Sequence, residues 1–178
     1  MSLITPENIR TLQRKLYCKA KQEPVCRFHA LFDKVYRADN LSHAYHLVRA
    51  NKGSAGIDGV TFAAIEEGEG ATAFLAELEE ALRNKSYQAE PVKRVMIPKA
   101  DGSQRPLGIP TIRDRVAQMA MKLVVEPIFE ADFCASSYGF RPKKSAHFDF
   151  NDVKNSLYRE IGCTGWRSYC ESRDDLSS

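Results

Sequence analysis

Lys99 and Arg105 flank a short turn, and their types and spacing could bind phosphate. Apolar and polar residues alternate from Val92 to Pro98 and again from Arg105 to Ile109, with Asp-Gly-Ser in between, which predicts a β-hairpin. Lysine supplies a compact charge and arginine a planar fork, and together they suit several phosphate oxygens. Hairpin tips are also often basic for solubility alone. Charge by itself therefore leaves open whether this tip binds phosphate or only serves solubility.

The register of this hairpin decides how the two cations face each other. A three-residue Asp-Gly-Ser loop is favoured because it gathers four apolar side chains on one face of the ribbon. The predicted pairs are Ile97 with Leu107, Val95 with Ile109 and Lys99 with Arg105. Two facing cations repel unless an anion lies between them, so this register predicts a phosphate site.

The other elements follow from periodicity and turn signals. We predict helices at about residues 6–20, 71–84 and 145–159, two shorter helices between residues 28 and 48 that break at Asp39-Asn40, and a helix from Thr111 to near Pro127. Three glycines between Asn51 and Gly59 predict a loop. The fold class is therefore α+β, mostly helical, with a β-hairpin leading into a long helix.

Charge is distributed unevenly around a net value of +3. Residues 10–37 contain eight Lys and Arg against Glu23 and Asp33, and residues 83–115 contain eight against three acidic residues. Residues 60–82 contain six glutamates and no base. The basic stretches favour a polyanionic partner, and solvated helix faces explain them about equally well.

Composition excludes several classes of protein. Hydrophobic residues at 43% and charged residues at 28% are typical of a folded globular chain. No apolar run reaches the length of a membrane span, and the first residues lack the pattern of a secretory signal, so a cytoplasmic protein is expected. Five scattered cysteines predict reduced thiols. Zinc ligation is a weak alternative because metal sites need four closely spaced ligands; its candidates are His43 with His46, and Cys18 and Cys26 with His29.

Three blocks of sequence resemble the group II intron reverse transcriptase/maturase family. They are KGSAGIDGVT at residues 52–61, PVKRVMIPKADGSQRPLGIPTIRDRVAQMAMKLVVEPIFE at 91–130 and SYGFRP at 137–142, in the family's order. The resemblance covers roughly residues 20–158. It implies the fingers and the start of the palm of a right-hand polymerase.

The resemblance also implies roles for individual residues. Lys99 and Arg105 would contact the triphosphate of an incoming deoxynucleotide. RNA would be bound by a glycine loop and by a later aromatic segment, and these residues are Lys52, Gly53, Gly56, Asp58, Gly59, Tyr138, Phe140 and Arg141. A turn packed by its own aromatic residues explains the later segment about equally well.

The sequence departs from the family where polymerase chemistry would be expected. The family uses Mg²⁺ held by clustered aspartates, and no buried strand carrying such an aspartate is evident in residues 160–178. Asp174-Asp175 lies among Ser, Arg and Glu, so we do not interpret it as a catalytic pair. We expect no metal site and no catalytic residue here, and we interpret residues 160–178 as an aberrant tail, the hypothesis being a frameshift or premature stop.

The sequence thus predicts three regions: a basic helical region at 1–50, fingers and the start of the palm at 51–159, and the tail. The expected function is that of a reverse transcriptase fragment that binds template RNA and deoxynucleotide phosphates but is inactive as a polymerase. The alternatives are a non-catalytic, maturase-like RNA-binding module and an inactive pseudogene product. The oligomeric state stays open.

Overall fold

The computed structural model describes residues 4–23, 25–134, 137 and 141, and the chain divides into two compact units, Met1–Asp132 and Phe133–Ser178. The elements of the first unit are α1 (Glu7–Gln22), α2 (Phe32–Val35), α3 (Ala38–Ala50), α4 (Phe62–Glu67), α5 (Gly70–Arg83), β1 (Lys93–Pro98), β2 (Gln104–Ile109) and α6 (Ile112–Asp132). Six helices and one antiparallel two-stranded sheet in this described part make the fold α+β, as predicted.

Helix α1 forms where the sequence predicted a helix. Pro6 precedes its first residue, a position where the missing N–H of proline is not needed. Ile9, Leu16 and Ala20 are buried at helical spacing, so one stripe of the helix packs inward while its cations remain exposed. The helix continues to Gln22, two residues beyond the predicted end.

The predicted break at Asp39-Asn40 is wrong, because α3 begins at Ala38 and Asn40 lies buried within it. The Asn40 side-chain amide donates to the main-chain oxygens of Val35 at 3.1 Å and Ala120 at 3.0 Å. Asparagine marks a turn in many sequences because it bonds to its own backbone. Here it bonds instead to carbonyls of the α2 segment and of α6.

Helix α4 was not predicted, whereas α5 agrees with the predicted helix to within a residue. The hydroxyl of Thr61 caps α4 by accepting from Ala64 N at 3.2 Å. At six residues the helix is too short to show an amphipathic period. The cap was therefore its only clear sequence signal.

The hydrophobic core lies between the helices and involves α6 throughout. Its buried members are Leu16, Val35, Leu41, Ala44, Tyr45, Val48, Ile65, Leu78, Leu82, Ile112, Val116, Ala120, Leu123 and Val124. Helix α6 supplies five of these residues and directly follows the hairpin in the chain. It therefore connects the hairpin to the core.

Helix α6 continues through Pro127 to Asp132, so the predicted end near Pro127 is wrong. Two side chains of α1 bond to carbonyls of α6 in this region. Gln13 Nε2 donates to Leu123 O at 3.1 Å, and Lys21 Nζ donates to Ala131 O at 3.1 Å. These contacts support a stretch of helix that local sequence alone disfavours.

Candidate polyanion-binding surface

The tip of the hairpin is a three-residue loop, Ala100–Gly102. Lys99 N donates to Ser103 O at 2.8 Å, and Gly102 N donates to Lys99 O at 3.1 Å. Gly102 has a φ of 79°, the left-handed conformation that glycine adopts without strain. This is the geometry of a turn that ends in a bulge at a left-handed residue. It places the loop one residue earlier than the predicted Asp-Gly-Ser.

The predicted strand pairing is consequently wrong. The observed partners are Lys93 with Ile109, Val95 with Leu107 and Ile97 with Arg105. Each partner on β2 moves by two residues relative to the prediction. An even shift leaves every side chain on its original face, because successive residues of a strand point to opposite sides. The apolar face was therefore predicted correctly although the pairing was not.

Lys99 and Arg105 lie on the same face of the ribbon, one cross-strand step apart. Arg105 is opposite Ile97, and Lys99 follows Ile97 by two residues, so the two cations are diagonal neighbours. Such neighbours lie about 7–8 Å apart at the backbone, which long side chains can bridge onto one ligand. Both residues are exposed.

The hairpin cations have no carboxylate partner within the described part of the chain. Ion pairs there involve other bases, and none includes Lys93, Arg94, Lys99 or Arg105. The nearest acid in sequence, Asp101, is engaged by Ser103, whose hydroxyl donates to it at 2.7 Å and whose N–H donates at 2.9 Å. These hydrogen bonds, the hydroxyl first, lower the pKa of Asp101. The ribbon thus presents positive charge that no carboxylate of the described residues neutralises.

The glycine loop is a defined structure between α3 and α4. Lys52 and Gly59 have positive φ values of 47° and 71°, and Asp58 Oδ1 accepts from Val60 N at 3.2 Å. Lys52, Gly53, Asp58 and Gly59 are exposed, whereas Gly56 is buried. Any contact of this loop with RNA therefore has to come from residues other than Gly56.

Gly56 is the point at which the loop docks on the start of α6. A Cβ added there would lie 2.7 Å from Thr111 Cα and 2.8 Å from Thr111 N. Arg115 reinforces the contact, because its guanidinium donates to Ser54 O and its Nε donates to Thr111 O at 3.4 Å. The loop thus lies beside the base of the hairpin. The tip lies about six strand residues away, roughly 20 Å.

A cleft of about 260 Å³ opens between the loop and α6, lined by Val48, Asn51, Gly53, Arg115, Gln118, Met119 and Lys122. Sequence reasoning predicted Gly53 as a site residue but missed the polar residues of α6. Arg115, Gln118 and Lys122 recur at helical spacing after Thr111, where the predicted helix begins. That spacing was the signal that could have placed them on one face.

The basic region of residues 10–37 is partly neutralised. Four of its eight bases form ion pairs, namely Arg10 with Glu7, Lys19 with Glu23, Lys34 with Asp33 and Arg37 with Asp39. Arg14 and Lys15 form none with the described residues, and together with Arg10 they line a surface cleft of about 360 Å³ on α1. The remaining positive charge is concentrated on the outer face of α1.

Of the three site residues predicted in the aromatic segment, only Arg141 lies within the described residues. Tyr138 and Phe140 lie outside the described residues. Arg141 Nη1 donates to Cys134 O at 2.9 Å and Ser137 O at 2.6 Å, and its guanidinium lies 5.1 Å from the centre of the Phe133 ring. These three contacts lie within its own segment.

The described residues do not fit the Mg²⁺ ions that the resemblance implies. Among them, no three His, Cys, Asp or Glu side chains are grouped closely enough to hold a metal ion. The candidate zinc ligand His43 is buried while His46 is exposed.

Within the described part of the chain, no helix has the length and apolar character needed to cross a membrane.

Comparison with known proteins identifies relatives along most of the chain, although no family model matches it. Protein YkfC of Escherichia coli K12 is 38% identical over 172 residues, covering 96% of this chain and 44% of YkfC. The group II intron-encoded protein LtrA of Lactococcus lactis is 32% identical over 142 residues, 78% of this chain and 22% of LtrA.

A putative COX1/OXI3 intron 2 protein of Saccharomyces cerevisiae is 30% identical over 129 residues, 71% of this chain and 13% of that protein. The chain therefore spans less than half the length of these curated relatives. The similarities confirm what the three sequence blocks indicated: the chain belongs to the reverse transcriptase/maturase-like family of group II intron-encoded proteins.

Proposed function

We propose that this chain supplies the fingers side and the start of the palm of a group II intron-encoded reverse transcriptase/maturase, binding RNA and the phosphates of a deoxynucleotide. The observation that carries the proposal is the placement of Lys99 and Arg105 on one exposed face, without a carboxylate partner among the described residues. A triphosphate carries several oxygens at a spacing that both side chains can reach together.

The test is equilibrium binding of a deoxynucleoside triphosphate to the purified chain at two salt concentrations. Replacing both cations, Lys99→Ala with Arg105→Ala, should weaken binding at least about tenfold, because two charge-assisted contacts are lost. The matched control, Arg27→Ala with Lys85→Ala, removes the same charge from exposed positions that form no ion pair with the described residues. Equal weakening in both double variants would show that only net charge matters, and would refute the site.

RNA binding is the second part of the proposal. The exposed residues of the glycine loop, the cleft with Arg115 and Lys122, and the outer face of α1 are the surfaces that support it. Phosphate contacts release counterions, so affinity for structured intron RNA should fall steeply with salt. Charge reversal by Arg14→Glu with Lys15→Glu should lower both the affinity and the salt slope. An unchanged slope would exclude α1 from the interface.

The chain by itself should not polymerise. The support is that the described residues group no carboxylates that could hold the Mg²⁺ ions of the reaction. A primer-extension assay with template RNA and deoxynucleotides tests this directly. Incorporation above the level of the Lys99→Ala, Arg105→Ala variant would overturn the proposed inactivity.

A non-catalytic RNA-binding module is the competing function. Arg14 and Lys15, which line a cleft on α1 and form no ion pair with the described residues, favour it. It predicts RNA binding that is unaffected by Lys99→Ala with Arg105→Ala. It also predicts no measurable binding of deoxynucleoside triphosphates, which separates it from the first proposal.

A further inference from the structure

The direction in which the hairpin projects is not fixed by packing of its faces. Val95, Met96 and Leu107 are 36%, 46% and 42% exposed, and only Ile97 and Ile109 are partly buried along the two strands. A ribbon with little buried surface can pivot about its ends. Its orientation therefore has to be set where the two strands meet the helical body.

The outgoing strand is fixed through the chain itself. β2 ends at Ile109, and Thr111, two residues later, precedes α6. Thr111 is 1% exposed and lies against Gly56 of the glycine loop. Its hydroxyl accepts from Asp114 N at 3.2 Å, which caps the helix. This end of the ribbon is therefore joined to a buried residue at the start of α6.

The incoming strand is fixed by one carboxylate. Asp114 accepts hydrogen bonds from the hydroxyl of Tyr87 and from Glu90 N, the latter at 3.3 Å. Both donors belong to the segment that leads into β1 at Lys93. The hydroxyl of Thr111 donates to the same carboxylate at 2.8 Å. Asp114 thus ties both ends of the hairpin to the first turn of α6.

Burial makes these hydrogen bonds important for the stability of the Asp114 carboxylate. Asp114 is 3% exposed and forms no ion pair with the described residues, so hydroxyl and N–H donors take the place of water around its charge. Burial first, and the hydrogen bond to Asp114 second, raise the pKa of Tyr87 well above its ordinary range. The Tyr87 hydroxyl therefore stays a donor at every physiological pH. Arg113 lies 6.0 Å from the centre of the Tyr87 ring and pairs with Glu77 of α5.

We propose that Asp114 is a positioning residue, which holds the hairpin at one angle to α6 so that Lys99 and Arg105 meet the same polyphosphate. This inference rests on the proposed function of the hairpin. Six strand residues separate Lys93 from Lys99, so the tip lies about 20 Å from the base. A swing of about 10° there moves the tip by roughly 3 Å, enough to break a hydrogen bond to phosphate.

The experiment measures orientation and binding separately. Residual dipolar couplings of backbone N–H groups in the free chain report the angle between the β1–β2 ribbon and α6. Binding of inorganic tripolyphosphate reports the consequence for the ligand. The test variants are Tyr87→Phe, which removes one hydroxyl, and Asp114→Asn. Two further variants are controls: Thr111→Ser keeps the hydroxyl, and Asp33→Asn changes an exposed carboxylate.

In Tyr87→Phe and Asp114→Asn, the couplings of the ribbon should shrink while those of α6 keep their values. Tripolyphosphate should bind about fivefold more weakly, because the bound geometry is no longer prepared in advance. Thr111→Ser and Asp33→Asn should match the unmodified chain in both measurements. If Asp114→Asn does not fold, Tyr87→Phe alone decides the question.

Unchanged ribbon couplings in Tyr87→Phe would overturn the inference, whatever tripolyphosphate does. Failure of the proposed function looks different: Lys99→Ala with Arg105→Ala would then leave tripolyphosphate binding unaffected. The couplings of the ligand-free chain still report whether Asp114 sets the hairpin angle.

Discussion

The side-chain amide of Gln13 donates to the carbonyl oxygen of Leu123 at 3.1 Å, and this is the carbonyl that Pro127 leaves without a helical donor. In a regular helix Leu123 O would accept from the N–H of residue 127, which proline lacks. A side chain 110 positions away in the sequence replaces the missing bond. Helix α6 therefore continues past a residue that usually ends a helix.

This relationship predicts coupling between the two positions. Gln13→Ala should destabilise the chain by about 1 kcal/mol, the usual net value of a hydrogen bond whose acceptor is left partly buried. With Pro127→Ala already present, the helix can supply its own donor, and the same Gln13→Ala change should have less than about half that effect. Urea unfolding of the unmodified chain, the two single variants and the double variant gives the coupling free energy between the two positions.

Gln22→Ala, at an exposed position of the same helix, is the control and should have little effect. Equal destabilisation by Gln13→Ala in both backgrounds would mean that Gln13 acts by packing alone.

The glycine loop predicts a ranking among three alanine substitutions. Gly56→Ala should be the most damaging, about 1–3 kcal/mol, because the added Cβ meets the backbone of Thr111 and backbone cannot easily move. Gly59→Ala should destabilise by about 1 kcal/mol through its positive φ, since the space around it is open. Gly53→Ala meets only the guanidinium of Arg115, at the end of a long side chain that can shift more easily than backbone, and should be the mildest.

Thermal unfolding of the three variants under one set of conditions measures this ranking. An order in which Gly53→Ala exceeds Gly56→Ala would contradict the docking of the loop on Thr111.

Buried His43 predicts a loss of stability in mild acid. Burial, and then the charge of His46, lower the pKa of His43 below its ordinary value of 6.5, and its Nε2 has no hydrogen-bond partner among the described residues. The unfolded chain therefore binds a proton at higher pH than the folded chain does. The free energy of unfolding should be level above about pH 7 and fall as pH drops below 6.5, by at most about 1.4 kcal/mol per pH unit.

Urea midpoints between pH 7.5 and 5.5 check this prediction. The decline should diminish in His43→Gln and persist in His29→Gln, whose histidine is exposed. A decline of the same size in His43→Gln would assign the effect to another group.

The sequence predicted those features that depend on local pattern. The helices other than α4, the hairpin and the membership of its apolar face follow from periods of 3.6 and 2 residues. The predicted helix at 145–159 lies outside the described residues. The strand pairing failed because it depends on where Gly102 falls in the turn. Asp-Gly marks the turn but does not say whether glycine is the second or the last loop residue.

Two further errors share a physical cause, which is a contact with a residue that is distant in the sequence. The continuation of α6 through Pro127 depends on Gln13, and the burial of Asn40 depends on the carbonyl of Ala120. Asp114 lies in the first turn of α6, and only the fold brings Tyr87 to it. No window of sequence contains both partners of such contacts.

The exposed ribbon also has a consequence for handling the protein. An outer strand with unsatisfied main-chain groups can pair with the same strand of another molecule, and positively charged side chains along it keep such molecules apart. Such side chains are present here: Lys93 and Arg94 lie on β1, Arg105 lies on β2, and Lys99 directly follows β1. A polyanion that neutralises them removes that repulsion, so turbidity at substoichiometric polyphosphate, clearing in excess, is the behaviour to expect from concentrated samples.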